Sequence, residues 1–512
     1  MTRLATILLC LSTTLLAQVD RGTIAGTVTD PTGAVVVGAA IRIVNESTNA
    51  TQQNNSSSAG TYGFYNLPIG MYNVTVEAAG FRRSEMKGVR VEVNQQSKVD
   101  IVLQVGEVTQ TVEVAALASL VQTESTDVGT VIDNKRFLDL PLTLGGGIRN
   151  PSAFIFLSPG VSPGNTWEKH IGGGGSFNDQ VYYEGISLSR GDLANDAEVN
   201  PSVDAIAEFK LVTNNYSAEY THALSGVTSF TMKSGTNKLH GSAFHFLAND
   251  KLDARGFFSP VKAPRKQNEW GFTAGAPVIL PKIYNGRDRT FWFFSMDQFY
   301  IRGGQLGGFN TLATQGMLNG NFSDWAAAGR GDIYDPATTA VDAAGRATRS
   351  PFPGNIIPRN RWSSISSKMV DVYPAAELPG IANNSIAPLA SPMADQRTSG
   401  FKIDHAISSS HRLSGMFNYT DRPSIKSPAP SRLLAKNRSV LIENYNFQVV
   451  TTRIIRLNYD WTISPTLLNH MGAGLSRFRN PNFSLGFNKG AIAELGLRGV
   501  QFDLAPTVQF TQ

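Results

Sequence analysis

The stretch that decides the fold is SGVTSFTMKSGTNKLHGSAFHFLAN, residues Ser225–Asn249. Apolar and polar residues alternate in two runs, Val227–Lys233 and Leu239–Ala248, and the turn-forming residues Ser234–Asn237 separate them. This pattern predicts a β-hairpin with a short loop. Further alternating ribbons follow it to the end of the chain. Many long alternating strands in an exported chain indicate a membrane β-barrel.

The later ribbons alternate regularly enough to assign their two faces. One face of a strand near residue 455 carries Ile455, Leu457, Tyr459 and Trp461, and the other carries Arg456, Asn458, Asp460 and Thr462. The segments Thr290–Tyr300 and His411–Thr420 alternate in the same way. A soluble β-sandwich shows the same period, but several ribbons run about 10 residues, the length that a tilted membrane strand needs. We therefore predict apolar faces toward lipid and polar faces toward a lumen.

The N-terminus has the features of a secretion signal. Arg3 precedes the apolar segment Leu4–Leu16, and Ala17 is a suitable cleavage residue, so residues 1–17 are predicted to be a signal peptide. The one cysteine, Cys10, lies inside it, so the mature chain is expected to have no disulfides and no thiolate metal site. The net charge of +5 is small for 512 residues and the basic residues are scattered, which argues against nucleic acid as a partner.

Residues 18–105 contain short alternating runs with turn sequences between them. The segments GTIAGTVTDPTGAVVVGAAIRI and SAGTYGFYNLPIGMYNVTVEAAGF resemble the carboxypeptidase regulatory-like domain. The resemblance implies a prealbumin-like β-sandwich without catalytic activity. Tyr62 and Phe64 fit either a binding stripe or the sandwich core, and core packing is the favoured interpretation.

Residues 106–224 are mixed in character. We predict short helices at Ile132–Leu140 and Pro201–Phe209, a strand with a turn at Asn178–Leu188, and a strand at Phe209–Thr213. The motifs FLDLPL, LSPGV, VYYEGISL and IAEFKLVTNNYSAEYTHALSGV resemble the plug domain of TonB-dependent outer-membrane receptors. Glu184 stands where that family usually has Asp before Gly.

Residues 225–512 extend the resemblance. SGTNKLHGSAFHFLANDKLDARGFF, EWGFTAGAPV, RTFWFFSMDQFY, SPFPGNIIPRNRW and FKIDHAISSSHRLSGMFNYT are similar to the large Oar-type receptors, so the likeness covers almost the whole chain. The implied fold is mainly β: an N-terminal prealbumin-like sandwich, a mixed α/β plug, and the first part of a transmembrane antiparallel barrel.

Residues 225–512 are too few for the complete barrel of such a receptor. A barrel of 22 strands needs about 550 residues at roughly 25 per strand and connection, and Ser225–Gln512 supplies about half of that. We therefore expect a partial barrel, as in a C-terminally truncated piece of a longer protein. A complete smaller barrel of roughly 10–12 strands is the alternative. Either way, Gly303–Gly400 is expected to form a long outer loop.

Catalytic motifs are not found in the sequence. It has neither H-E-x-x-H nor a nucleotide-binding P-loop. Gly160–Gly164 matches G-x-S-x-G, but Pro163 follows the serine and has no N–H to stabilise an oxyanion. We predict that the protein is not an enzyme and uses no metal or cofactor, and that this motif is a turn of the plug.

The resemblance also implies partners and a mechanism. A plug would close the barrel, and TonB of the inner membrane would pull a periplasmic segment, for which Glu107-Val108-Thr109-Gln110-Thr111-Val112-Glu113-Val114 is the candidate. The same residues could equally be the last strand of the sandwich. Plug residues that could contact a ligand are Trp167, Tyr182, Tyr183 and Glu184, although core packing is favoured for each.

The predicted setting is the outer membrane, with lipid around the barrel and the N-terminal domain in the periplasm. The ligand would be scarce or bulky: an oligosaccharide, a peptide or a metal chelate. The alternative function is that of a secreted or surface-attached adhesin made of tandem β-domains.

Overall fold

The fold was analysed in a computed structural model. It describes residues 21–106, 111–115, 127–133, 148–149, 151–163, 169–175, 178–188, 201–220, 223–257, 262, 265–303, 305–372, 375–376, 378–389, 394–426, 446–464, 467–484, 493, 496 and 498–499. Three β-rich parts follow one another along the chain. Among the described residues, no helix is long and apolar enough to cross a membrane.

The first part is a sandwich of two sheets. Its strands are β1 (Gly22–Thr29), β2 (Ala40–Asn45), β3 (Thr51–Asn55), β4 (Thr61–Leu67), β5 (Gly70–Glu77), β6 (Arg83–Val91), β7 (Gln96–Lys98), β8 (Ile101–Val102) and β9 (Thr111–Ala115). One sheet has the order β4-β1-β7 with β8 beside β1, and the other has the order β3-β2-β5-β6-β9. Tyr62 and Phe64 are buried in the core between them, as the favoured interpretation predicted.

The second part is a five-stranded sheet with a small two-stranded one. Its strands are β10 (Val128–Asp133), β11 (Val161–Pro163), β12 (Lys169–Ile171), β13 (Gln180–Tyr183), β14 (Ile186–Ser187), β15 (Ile206–Asn214) and β16 (Val227–Met232), with 3-10 turns at Pro151–Leu157 and Val203–Ala205. The larger sheet has the order β10-β15-β16-β13-β14, and β11 pairs with β12. The predicted turn at Gly160–Gly164 is thus partly strand.

The predicted hairpin at Ser225–Asn249 is wrong. Both strands exist, but β16 pairs with β13 and β15 of the second part, whereas the next strand, which starts at His240, pairs onward into a third sheet. All six residues of β16 are buried, because it lies inside its sheet. Alternation fixes which way side chains point and does not fix which strand is the neighbour.

Two helix predictions in this region also need correction. Ile132 and Asp133, assigned to a helix at Ile132–Leu140, lie in β10, and residues 134–140 fall outside the described residues. At Pro201–Phe209 only a 3-10 turn forms before β15 begins at Ile206. Tertiary pairing with β10 and β16 overrides the local helix signal. The strands predicted at Asn178–Leu188 and Phe209–Thr213 are confirmed.

The third part is a large antiparallel sheet with a long connection. Its strands are β17 (His240–Asn249), β18 (Arg265–Pro277), β19 (Ile279–Leu280), β20 (Tyr284–Asn285), β21 (Thr290–Gly303), β22 (Gln305–Asn310), β23 (Ala340–Val341), β24 (Ala347–Thr348), β25 (Ser385–Leu389), β26 (Ala394–Ala406), β27 (His411–Lys426), β28 (Asn446–Ser464), β29 (Leu467–Arg479) and β30 (Asn482–Ser484). The main order is β17-β18-β21-β26-β27-β28-β29, with β30 beside β28. Within the described residues the edge strands β17 and β29 do not pair, so the sheet is a partial barrel.

The connection between β21 and β26 matches the predicted long loop. It ends at Ala394, six residues before the predicted boundary, because β26 continues the ladder with β21 that far. Its described residues form the short helices α1 (Gln315–Leu318), α2 (Ser323–Ala327) and α3 (Ser364–Val372), and 3-10 turns at Pro336–Thr338, Pro353–Asn355 and Arg359–Arg361.

The two faces of the large sheet differ as predicted. On β28, Ile455 and Leu457 are 45% and 56% exposed, whereas Arg456 and Asn458 are each 3% exposed. The apolar side chains therefore point away from the molecule, and the polar ones point to the concave side, where the second part lies. This inversion of the usual surface composition is the pattern of a lipid-facing barrel wall.

Candidate functional site

A buried ion pair joins the second part of the fold, hereafter the plug (β10–β16), to the large sheet of the third part, hereafter the barrel wall (β17, β18, β21 and β26–β30). Glu184 and Gly185 form the two-residue turn between β13 and β14, with φ of 51° and 73°. Positive φ at both central residues is typical of a tight hairpin turn. The turn directs the carboxylate at the wall, where Oε1 accepts hydrogen bonds from Met232 N at 2.6 Å and from Lys402 Nζ at 2.8 Å. A buried charge pair of this kind is costly to separate.

A second cluster surrounds Arg149, which precedes the Pro151–Leu157 turn. Its Nε donates to Glu269 Oε1 of β18 at 2.6 Å, and its Nη2 donates to Asp204 Oδ2 of the plug at 2.8 Å. The guanidinium also lies 4.3 Å from the ring centroids of Phe244 and Phe246 on β17. Arginine suits this position because its planar fork satisfies two carboxylates and stacks on rings at once.

The N-terminal sandwich is docked against the barrel rim. Arg21 Nη2 donates to Ser414 Oγ at 3.3 Å and lies 4.0 Å from Asp460 Oδ2. Asn49 Nδ2 donates to Asp288 Oδ1 at 3.0 Å. Ser414, Asp460 and Asp288 all lie near the strand ends opposite the long connection. The sandwich is therefore docked at that edge of the barrel wall.

The sandwich also contacts the plug through Glu208 of β15. Its Oε2 accepts a hydrogen bond from Val93 N at 3.0 Å, and Arg90 lies 3.6 Å from Oε1. Nearby, Lys210 Nζ donates to Asn94 O at 2.7 Å. Burial raises the pKa of Glu208 to about 7, because these partners only partly replace the water that the carboxylate loses.

Only the second half of the candidate coupling segment Glu107–Val114 lies among the described residues. Glu107, Val108, Thr109 and Gln110 lie outside the described residues. Thr111–Ala115 is strand β9, and it runs parallel to Arg83–Lys87 at the edge of the sandwich sheet. The described half of the segment is thus paired to the sandwich, as one of the two alternatives had it.

Three of the four proposed ligand contacts lie among the described residues, and all three are buried. Tyr182, Tyr183 and Glu184 are buried in the plug, with the Tyr182 ring 5.4 Å from that of Tyr220. Trp167 lies outside the described residues. Ligand contact by these residues stays a prediction. Within the part of the chain that the structure describes, no group of three or more His, Cys, Asp or Glu could hold a metal ion.

Sequence reasoning missed Lys402, Arg149 and Glu208. Lys402 lies between outward-facing Phe401 and Ile403, so its inward direction was readable from the alternation. Its partner was not readable, because Glu184 is 218 residues away. No local signal in the sequence distinguishes a paired inward charge from a solvated one.

Comparison with known proteins gives two family matches. Residues 231–512 match the family model described as an outer membrane beta barrel domain, and residues 23–104 match the carboxypeptidase regulatory-like domain. The TonB-dependent transporter Oar of Myxococcus xanthus is 24% identical over 298 residues, which are 54% of this chain and 27% of that protein.

Two solved structures show how the chain compares in three dimensions. The siderophore receptor PirA from Pseudomonas aeruginosa has a TM-score of 0.38 at 10% identity, covering 71% of this chain and 42% of the receptor. The outer membrane transporter YddB from Escherichia coli has a TM-score of 0.40 at 11% identity, covering 70% and 40%. The chain thus spans about a quarter of the length of Oar and about two fifths of each solved receptor.

Proposed function

Since the chain belongs to the outer membrane β-barrel family, we propose that it serves as a TonB-dependent receptor that imports a scarce or bulky ligand. The observation that carries this proposal is the plug sheet held against the concave wall by Glu184–Lys402 and by the Arg149 cluster. In a complete barrel, a plug held to the wall in this way would keep solutes from diffusing through the lumen. Opening it requires work on the plug, and this is what an energy-coupling partner supplies.

The coupling step would act on the segment Glu107–Val114. An extended strand can be captured by adding it to a partner's sheet edge. In the structure its second half already occupies a sheet edge, that of β6. TonB would therefore compete with the sandwich for these residues. A short parallel ladder suits such an exchange, because parallel pairing is slightly weaker per residue than antiparallel pairing.

Ligand recognition would start from the side opposite the sandwich, where the long connection lies. We propose an oligosaccharide, a peptide or a metal chelate as the ligand. Trp167, Tyr182, Tyr183 and Glu184 remain the proposed plug contacts. The last three would reach a ligand only after the plug shifts, because they are now enclosed.

The test is capture by TonB. The periplasmic domain of TonB from the same bacterium is immobilised, and the detergent-solubilised chain is passed over it. We expect retention of the chain and loss of retention when residues 107–114 are deleted. Deleting residues 338–345 of the long connection is the size-matched control. Equal retention of both deletion variants would refute the coupling role.

A further inference from the structure

A partly open cavity lies where the sandwich, the plug and the barrel meet. It has a volume of about 200 Å³. Residues of all three parts line it, among them Tyr72 of the sandwich, Thr231 of the plug and Asp404 of the barrel. One water molecule occupies about 30 Å³ in the liquid. The cavity therefore has room for several waters or for one small polyatomic ion.

The charge of the lining is strongly one-sided. The basic residues that line the cavity are Arg21, Lys233, Arg289, Lys402 and Arg412. Asp404 is the acidic residue among the lining residues. Like charges gathered around one cavity repel one another, and the repulsion is stronger for the side chains that are buried from water.

Neighbouring carboxylates compensate only some of these cations. Lys402 is bonded to Glu184, and Arg21 lies 4.0 Å from Asp460. Among the described residues, Lys233 and Arg289 form no ion pair; Lys233 is half-buried, whereas Arg289 is exposed to solvent. Burial lowers the pKa of Lys233, and the attraction of Asp204 acts in the opposite direction.

Some buried polar atoms of the lining have no hydrogen-bond partner in the part of the chain that the structure describes. They include Arg412 Nη1, Thr231 Oγ1 and Asp404 Oδ2. Thr231 is 3% exposed, so bulk water does not satisfy its hydroxyl. Buried polar atoms without partners are rare in folded proteins, so several of them around one cavity give that cavity the capacity to hydrogen-bond a ligand.

The three atoms together define the chemistry of that ligand. Arg412 and the lysines call for an anion that accepts hydrogen bonds. The carboxylate oxygen Oδ2 of Asp404 accepts hydrogen bonds, so the same ligand must also donate one. A phosphate or a phosphate monoester meets both demands at neutral pH. Free phosphate is negatively charged and keeps at least one O–H, and a monoester keeps an O–H in part of its population. Sulfate has no proton to donate.

We propose that this cavity binds a protonated phosphate group and that the bound group joins the N-terminal sandwich to the barrel rim. The group is either free phosphate or the headgroup of a phosphate monoester. The proposal does not depend on transport, because it concerns the docking of one domain. A ligand that binds only the docked form stabilises that form by mass action.

The experiment measures binding to the whole chain in a non-ionic detergent free of phosphate. Titration calorimetry and thermal melts are run with inorganic phosphate, sulfate, chloride and glycerol 3-phosphate at equal ionic strength. We expect saturable binding of phosphate and a rise in Tm, with sulfate at least tenfold weaker. Binding of glycerol 3-phosphate as well would identify a headgroup, and its exclusion would identify the free ion.

Three variants make the result specific. Lys233→Met should weaken phosphate binding about tenfold, whereas Lys238→Met, an exposed lysine outside the cavity, should leave it unchanged. Asp404→Asn should remove the preference for phosphate over sulfate, because an amide can donate to an anion that has no proton. Equal shifts with all anions, or shifts unchanged in Lys233→Met, would overturn the proposal.

Discussion

Lys402 of the barrel wall donates to Glu184 of the plug at 2.8 Å, and the two side chains are 4% and 2% exposed. This pair links two sheets that share no strand pairing. Lys402 Nζ also lies 3.3 Å from Met232 O, at the end of β16. The plug is thereby fixed to the wall at the point where the chain leaves it for the first barrel strand.

Breaking this pair should loosen the plug. Lys402→Met leaves the Glu184 carboxylate buried without its cation, so we expect a loss of about 3–5 kcal/mol in the free energy of unfolding. Urea unfolding followed by protease cleavage within the plug measures it. Lys402→Met/Glu184→Gln should recover part of the loss because it removes both charges. A double variant as unstable as the single one would contradict this account.

Docking of the sandwich should weaken with rising pH through Glu208. Burial raises the pKa of Glu208 from the 4.5 of a solvated carboxyl to about 7, so between these values the folded, docked chain holds a proton that a solvated Glu208 releases. Its contribution is complete below about pH 4.5 and is lost progressively as the pH approaches 7, by on the order of 1–3 kcal/mol. Limited proteolysis between the sandwich and the plug, at pH 5 and pH 8, measures the difference.

Glu208→Gln provides the control for that dependence. The amide oxygen still accepts from Val93 N, but the side chain no longer titrates. We expect cleavage rates of this variant to be nearly equal at the two pH values. A variant that keeps the full pH dependence of the native chain would assign the effect to another group.

Locking β9 to the sandwich should block capture by TonB. The register places Glu113 beside Glu85, and adjacent strands lie about 4.8 Å apart, within the range that a disulfide spans. Glu85→Cys/Glu113→Cys should therefore form a disulfide under oxidation, since the predicted mature chain has no other cysteine. We expect the oxidised form to lose retention on the TonB domain and the reduced form to regain it.

The out-of-register pair Glu85→Cys/Ala115→Cys is the matched control. Its Cα atoms are about 8 Å apart, too far for a disulfide without backbone movement. It should bind TonB equally in both redox states. If the in-register disulfide forms and retention is unaffected, competition between TonB and the sandwich is excluded.

A charged residue on the outward face of β28 should lower the stability of the sheet. Leu457→Arg places a cation where we assign lipid, and the expected loss is about 2–4 kcal/mol for a mid-membrane position. Ala344→Arg, at an exposed position of the long connection, should be nearly neutral. Unfolding by urea in lipid vesicles compares the two. A neutral Leu457→Arg would mean that water, not lipid, covers this face.

The sequence predicts the faces of the strands better than their partners. The alternation from Ile455 to Trp461 is set by the pleat and by the two solvents, so it can be read locally. The pairing of β16 cannot be read locally. Its neighbours β13 and β15 are set by tertiary packing, in which all six residues of β16 are buried. The Glu184–Lys402 ion pair could not be predicted for the same reason, since each residue alone resembles an ordinary turn or lumen position.

The central claim is that the outward face of the large sheet meets lipid while its inward face meets the plug. Single cysteines at residues 453–461, each carrying a nitroxide in lipid vesicles, test it through collisions with oxygen and with a water-soluble nickel chelate. The account predicts high oxygen access and low nickel access at Ile455, Leu457 and Tyr459, and low access of both reagents at Arg456 and Asn458. High nickel access at Ile455, Leu457 and Tyr459, or no two-residue alternation, would contradict it.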